Sequence, residues 1–222
     1  MFSLNKCLVH ACNNLALSTF DENGNISNEK NYCLEHIPNP SKMQQDIYNY
    51  IKTHDKIVGL NTVGMTFTDI DLTNKCFYGC NFTYCTFTNL QSLNFRSRMS
   101  IFDFAVFNGC NLIQSNIHFS SFAGCEFSHT LFTSSDLVHN NFNGITSFQS
   151  SFDDSDLYNS RFIQSKLINT SFRNCNLKKT VFLNTEQANT SFKMSNTREA
   201  IFDKSVEHIF LNLNSNNNVS ES

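Results

Sequence analysis

The chain has 222 residues, with 16 Lys and Arg against 19 Asp and Glu for a formal net charge of −3, nine Cys and no Trp. This balance gives neither an extended basic stripe suited to nucleic acid nor a strongly acidic chain, and no apolar run is long enough to span a bilayer. The seven Gly form no phosphate-cradling loop, and the N-terminus lacks a basic, apolar, small-residue leader pattern, so nine Cys without a secretion signal point to a reducing cytoplasm.

The first 40 residues read as a small Cys/His module. Cys7, Cys12, Cys33 and His36 are spaced C-x4-C-x20-C-x2-H. Between the two pairs, Glu22-Asn23-Gly24-Asn25 is a hairpin turn signal. Two ligand pairs joined by a hairpin suit tetrahedral Zn²⁺. A segment this short has too little core to stand alone, and a metal would supply the missing stability. With all four places filled by protein, such a site is structural and not catalytic. His10 competes for one place, and unligated thiols in a small β cap are the alternative. The only two Pro, Pro38 and Pro40, mark the junction that follows.

Residues 41–61 read as a helical cap and linker. Ser41 and Gln44 form a capping-box pair, and Met43, Ile47, Tyr50 and Ile51 make one apolar stripe. A lid over the next domain and a partner-binding helix both fit this stripe.

From residue 62 to 204 one pattern dominates. Of the 28 positions taken every fifth residue from Phe67 to Phe202, 23 are Phe, Leu or Ile, and 16 of the chain's 23 Phe fall among them. A period of five fits neither a helix nor a strand, so the chain must turn at short regular intervals. The column two before the large residue is rich in small residues, and from Ser150 to Ala200 every member is small, as in Ser150, Ser155, Ser160 and Ser165. The position two after is rich in Asn, Gly, Gln and Asp, which form turns. Every twentieth residue from Phe82 to Phe202 is Phe, which implies four five-residue sides per coil. The central column fails at Ser92, Ser97, Ser147, Gln187 and Thr197 without loss of register. A bulge is expected around Ser92 and Ser97, with Leu90, Leu93 and Phe95 repacking the core there.

The segments Ser155-Asp-Leu-Tyr-Asn159, Cys175-Asn-Leu-Lys-Lys179 and Cys80-Asn-Phe-Thr-Tyr84 closely match the motif of the pentapeptide-repeat family, which residues 65–204 resemble. The resemblance implies an all-β solenoid: a right-handed quadrilateral β-helix of about seven coils, roughly 34 Å long at ~4.8 Å per strand. The repeat region also offers no catalytic constellation, its His residues being scattered over different sides and coils, so a non-enzymatic protein is expected. Some members of the family mimic DNA, bind type II topoisomerases such as gyrase and protect them from quinolones. Such mimicry needs a continuous acidic face. Residues 62–210 carry 12 Asp and Glu against 11 Lys and Arg, and the acidic Asp153, Asp154 and Asp156 adjoin Arg173, Lys178, Lys179, Lys193 and Arg198. The leading expectation is therefore a rigid module that binds an unidentified protein partner. A topoisomerase-binding DNA mimic is the alternative, and nucleic-acid or anion binding through the basic corner a second.

At the C-terminal end, Ile163, Val181, Leu183 and Ile201 form an outward apolar patch. Residues 205–213, with Val206, Ile209, Phe210 and Leu213 at helical spacing, either cover this patch or cross to a second chain as a homodimer. Several members of the family dimerise through their C-terminal coils. Residues 214–222, rich in Asn and Ser, read as a disordered tail.

Overall fold

The computed structural model describes residues 5–27 and 29–203. Its dominant feature is a four-sided parallel β-solenoid of about seven coils, in which each residue pairs with the one twenty positions on. Thr66–Thr68 pairs with Thr86–Thr88, and that strand with Val106–Asn108, in unbroken register. The four sides are named here for core residues: Ile57, Phe82, Phe67 and Leu72, in the order the chain meets them. Each side places its central residue and the residue two before it inward. The residue two after the centre turns the corner. At all 29 such positions from Gly59 to Glu199 the backbone has positive φ, which explains the Asn and Gly of that column, since other side chains cost about 1–2 kcal/mol there.

Inside the rod like stacks on like. On the Phe82 side, neighbouring rings from Phe82 to Phe202 lie 4.7–5.1 Å apart and within 11° of parallel. This repeat is that of the backbone strands, and each such aromatic pair contributes about 0.5–1.5 kcal/mol beyond its buried area. The small column does more than save space. Ser155 Oγ donates to the Phe132 carbonyl at 2.8 Å, Ser160 Oγ to the Leu137 carbonyl at 2.8 Å and Thr180 Oγ1 to the Leu157 carbonyl at 2.9 Å. Ser155 Oγ also accepts from the Ser135 N–H at 3.0 Å. Hydroxyls and thiols in this column thus add hydrogen bonds from one coil to the buried carbonyls of the coil before.

The expected bulge at Ser92 and Ser97 is absent. Arg96–Arg98 pairs in regular register with both Cys76–Tyr78 and Asn116–His118. Large and small have exchanged columns instead. Leu90 and Phe95, each two residues ahead of a Ser, are buried in the core, whereas Leu93 is exposed. The same exchange places Ile145 inward beside Ser147. Gln187 and Thr197 have only Thr185 and Ser195 ahead of them, and around them the last described coil is half-exposed.

The ladder begins upstream of residue 62. Lys56–Val58 pairs with Cys76–Tyr78, and Asn61 bridges Asn81. Helix α1 (Pro40–Thr53) closes this end. Its N-cap is Asn39, whose Oδ1 accepts from the Lys42 N–H at 2.9 Å with Pro40 in the first turn. The Ser41–Gln44 capping box does not form, because Pro40 pre-sets the helical φ one residue earlier. Gln44 is used elsewhere: its Nε2 donates to the Thr66 carbonyl at 3.0 Å, while the Tyr48 hydroxyl accepts from the Thr68 N–H at 3.0 Å. Both bonds satisfy backbone groups on the first strand of the Phe67 side, which would otherwise be a bare edge. Ile47 and Ile51 complete the core beneath.

Candidate metal centre and the rod surface

The N-terminal module is built from short turns that leave little room for a core. Lys6 bridges Leu15, with Cys7 N–H bonded to the Asn14 carbonyl at 2.9 Å, and this loop holds Cys7 and Cys12. β1 (Thr19–Phe20) and β2 (Ile26–Ser27) form the expected hairpin. Asp21 Oδ1 organises its turn by accepting from the Asn23 and Asn25 N–H groups, and Gly24 supplies the positive φ. The returning chain brings in Cys33, whose carbonyl accepts from the His36 and Ile37 N–H groups in a tight turn.

These turns bring the four sequence-predicted ligands together. The ligand atoms of Cys7, Cys12, Cys33 and His36 all lie within 4.8 Å of one another. Cys12 Sγ is 3.9 Å from Cys33 Sγ, far from disulfide length, and His36 Nδ1 lies 3.5 Å from Cys7 Sγ and 3.3 Å from Cys33 Sγ. A tetrahedral ion with Zn–S of about 2.3 Å and Zn–N of about 2.0–2.1 Å would have edges of about 3.8 Å and 3.6 Å, close to these separations. His10, the competitor, is exposed and outside the cluster. Burial opposes ionisation of Cys7, yet hydrogen bonds at the Cys33 and Val9 backbone, the Cys33 thiol and His36 outweigh it and bring its pKa down to about 6. At Cys12 a backbone hydrogen bond at Asn14 favours the thiolate, but burial and the neighbouring Cys7 and Cys33 sulfurs together push its pKa up. Three sulfurs in one place resist joint ionisation, and a divalent cation among them removes that conflict.

The module is tied directly to the rod. Asn61 donates through Nδ2 to the Ala16 carbonyl at 2.7 Å and through its backbone N–H to Ser18 Oγ at 2.8 Å, and its carbonyl accepts from the Ser18 N–H at 3.0 Å. Residues 16–18 thereby cover the first strand of the Phe82 side, as α1 covers the first strand of the Phe67 side. The other Cys behave differently. Cys85, Cys110, Cys125 and Cys175 occupy the small column and donate to carbonyls of the preceding coil, at 2.9 Å for Cys125 to Phe102. Burial pushes the thiols of Cys85 and Cys175 up to about 12 and those of Cys80 and Cys110 to about 11.

On the rod surface, charges pair between rungs. Arg173 Nη2 meets Asp153 Oδ2 at 3.1 Å, Asn174 Nδ2 donates to Asp154 at 2.7 Å and Asn176 Nδ2 to Asp156 at 3.0 Å. Lys178, Lys179 and Arg198 gather around Glu199. Ile163, Val181, Leu183 and Ile201 all lie on the Phe82 side, Val181 paired with Ile201, with Ile201 exposed and the other three half-buried. Ile209 and Phe210, the tail at 214–222 and the whole of 205–213 lie outside the described residues. Four exposed side chains had not been singled out in the sequence: Tyr84, Met99, Phe104 and Phe119. The signal for them was a large apolar residue in the turn column.

Among the described residues, no helix is long and apolar enough to cross a membrane. The family model for pentapeptide repeats matches eight copies, over residues 100–138 and 151–186. No curated protein matches the sequence. Similar solved structures include QnrB1, described as a plasmid-mediated fluoroquinolone resistance protein, at 15% identity with a TM-score of 0.42, covering 74% of this chain and 90% of that one. HetL, described as involved in heterocyst differentiation regulation in the cyanobacterium Nostoc sp. strain PCC 7120, has 11% identity and a TM-score of 0.29, with 71% and 93% covered. Rfr23 from the cyanobacterium Cyanothece 51142 has 12% identity and a TM-score of 0.26, with 72% and 99% covered. The five-residue period, the stacked four-sided coils and the pentapeptide-repeat match over residues 100–138 and 151–186 agree, and a Cys/His module lies at the N-terminal end of the same rod.

Proposed function

We propose that this protein is a non-enzymatic interaction module: a stiff rod that presents side chains at fixed spacing to a protein partner, with its N-terminal module held by a structural zinc ion bound to Cys7, Cys12, Cys33 and His36. The observation that supports it best is the rung-to-rung tethering of surface side chains. Asn116 Nδ2 donates to Asp136 at 3.0 Å, Asn94 Nδ2 to Asn74 at 3.2 Å and Asn189 Nδ2 to Asn169 at 3.0 Å, each pair twenty residues apart. Side chains ordered before binding lose less entropy on binding. The donor set and its spacing support zinc, and the four protein donors leave no open position for a substrate. The nine Cys, all free thiols, suit a reducing compartment such as the cytoplasm.

The ion pair of Asp153 with Arg173 in the following coil weighs against a DNA-mimicking topoisomerase partner, because it interrupts the anionic face that such mimicry needs. At the basic corner Arg173 is paired with Asp153, and Lys178, Lys179 and Arg198 share Glu199, which leaves a short cluster and not the extended basic stripe that nucleic acid needs. The test is capture of partners by the immobilised full-length protein, reconstitution with purified components, and a gyrase supercoiling assay with and without quinolone. A saturable complex with one protein and no effect on gyrase is expected. Inhibition or quinolone protection of gyrase at equimolar protein would replace this reading with the mimic. The C-terminal patch fits a homodimer, and a monomeric wild type in light scattering rejects that assembly.

A further inference from the structure

The Phe82 side carries an aromatic strip that neither folding preference nor core packing accounts for. Tyr84, Met99, Phe104 and Phe119 occupy corner positions with φ of 59°, 51°, 58° and 52°. Asn or Gly is the favoured occupant there, so each of the four costs backbone energy. Nor does burial offset that cost: the four are 52–62% exposed. All four border one side on consecutive coils, Met99 and Phe119 along the corner before it and Tyr84 and Phe104 along the corner after it.

The strip is ordered by its own contacts. Tyr84 and Phe104 stack at 5.2 Å, and Phe119 stacks on His139 at 4.9 Å. The Phe104 ring lies over Gly124, where a Cβ would come within 2.6 Å of it. Between the two edges the outward residues from Asn81 to Asn143 include one charge, Asp103, and its carboxylate is already engaged by the Ser121 hydroxyl and the Ala123 N–H. At its N-terminal end the strip runs into a cleft of about 540 Å³ between the Cys/His module and the first coil, lined by Leu15, Leu34, Val63, Gly64 and Tyr84 with Glu35 at its edge, whose carboxylate accepts from Asn14 Nδ2 at 3.1 Å.

We propose that this strip and cleft form a docking surface for an extended, uncharged segment of a partner protein, with one of its apolar side chains seated in the cleft. Charge matching carries the choice. The strip and cleft hold two acids, Asp103 and Glu35, both already accepting hydrogen bonds from the protein, and no cation, so they offer nothing to phosphates, which need cations, and would leave a charged peptide desolvated without a free partner. The cleft favours a protruding segment over a second rod, whose broad side cannot enter it. The inference rests on the interaction-module reading and names its surface.

The experiment selects random dodecapeptides by display on the full-length protein and measures the enriched peptides on three forms: wild type, the Phe104→Asn/Phe119→Asn double variant, and Met194→Asn. Met194 is an equivalent control, since it is also an exposed apolar residue at positive φ (64°) but lies on a different corner of the last described coil. Asn suits positive φ, so thermal melting should show both variants folded. The expected result is enrichment of apolar peptides poor in charge, with salt-insensitive binding that falls at least about tenfold in the double variant, as for loss of an aromatic hot spot, and is unchanged in Met194→Asn. Peptides bound equally by the double variant overturn this surface while leaving the module reading intact. Failure to enrich any peptide, enrichment of charged peptides, or a wild-type dimer that the double variant alone dissolves also overturns it, the last by giving the strip to a second copy of the chain.

Discussion

Phe95 lies two residues ahead of Ser97 and packs its ring 5.5 Å from that of Phe77, the central residue of the same side one coil earlier. A large residue in the small column thus does the work of the missing central one, and the coil keeps its register. Ile145 with Ser147 is the same exchange. Ser147→Leu alone is expected to overpack the core and destabilise the protein by about 1–3 kcal/mol. Adding Ile145→Ser should recover most of that loss. Urea unfolding of the two single variants and the double variant measures the coupling, and additive losses would mean the two columns do not share one space.

Much of this was legible in the sequence, and the parts that were not share a cause. The twenty-residue recurrence of Phe and the Asn-rich turn column each follow from one residue at one backbone position, so a column count finds them. The Ser97–Phe95 exchange was half seen: Phe95 was a candidate for repacking, but the expected distortion treated the two columns as unequal, when both point inward. The Ser41 capping box failed because Asn39 and Pro40 offered a better start two residues earlier. The clustering of Cys7, Cys12, Cys33 and His36 was legible because spacing limits what a short, coreless segment can do with three Cys and a His. The aromatic strip was overlooked because its residues belong to different repeats and meet only after the chain is wound into coils.

The corner column predicts stabilising changes. Met194 has φ of 64° and is 80% exposed, so Met194→Asn should raise stability by a few tenths to about 1 kcal/mol by relieving a left-handed conformation that Asn tolerates. Gly124→Ala should do the reverse, since its φ is 67° and its Cβ would collide with the Phe104 ring. Part of that loss should disappear in a Phe104→Asn background. Melting temperatures of the three variants check the set.

The core thiols give a pH dependence with a definite sign. Burial first of all raises the Cys85 and Cys175 pKa values to about 12, against an ordinary 9.0. A raised folded value means that the unfolded chain ionises first. The stability contribution is therefore complete below about pH 9 and is lost as pH rises toward 12. Unfolding midpoints should fall across that window, and less steeply in a Cys85→Ser/Cys175→Ser double variant, whose hydroxyls keep the hydrogen bonds to the coil before. An unchanged slope in the double variant would remove these thiols as its source.

At the junction, Asn61 joins module and rod through three hydrogen bonds. Asn61→Ala removes the one made by its side chain and leaves the Ala16 carbonyl to find another donor, at a cost of about 1–3 kcal/mol. Hydrogen exchange should show faster opening of residues 16–18 in this variant while the amides of coils further along stay protected. Uniform loss of protection along the rod would show instead that the module is needed for the whole solenoid to fold.

The most direct measurement is the zinc content of the protein purified under reducing conditions, taken together with the melting curve of Cys33→Ser. One zinc per chain is expected, lost in Cys33→Ser along with the stability of residues 5–37, because a segment without a core folds on its metal. Less than about half an equivalent of zinc in the wild type, with Cys33→Ser melting unchanged, would contradict the assignment of Cys7, Cys12, Cys33 and His36 as a structural metal centre.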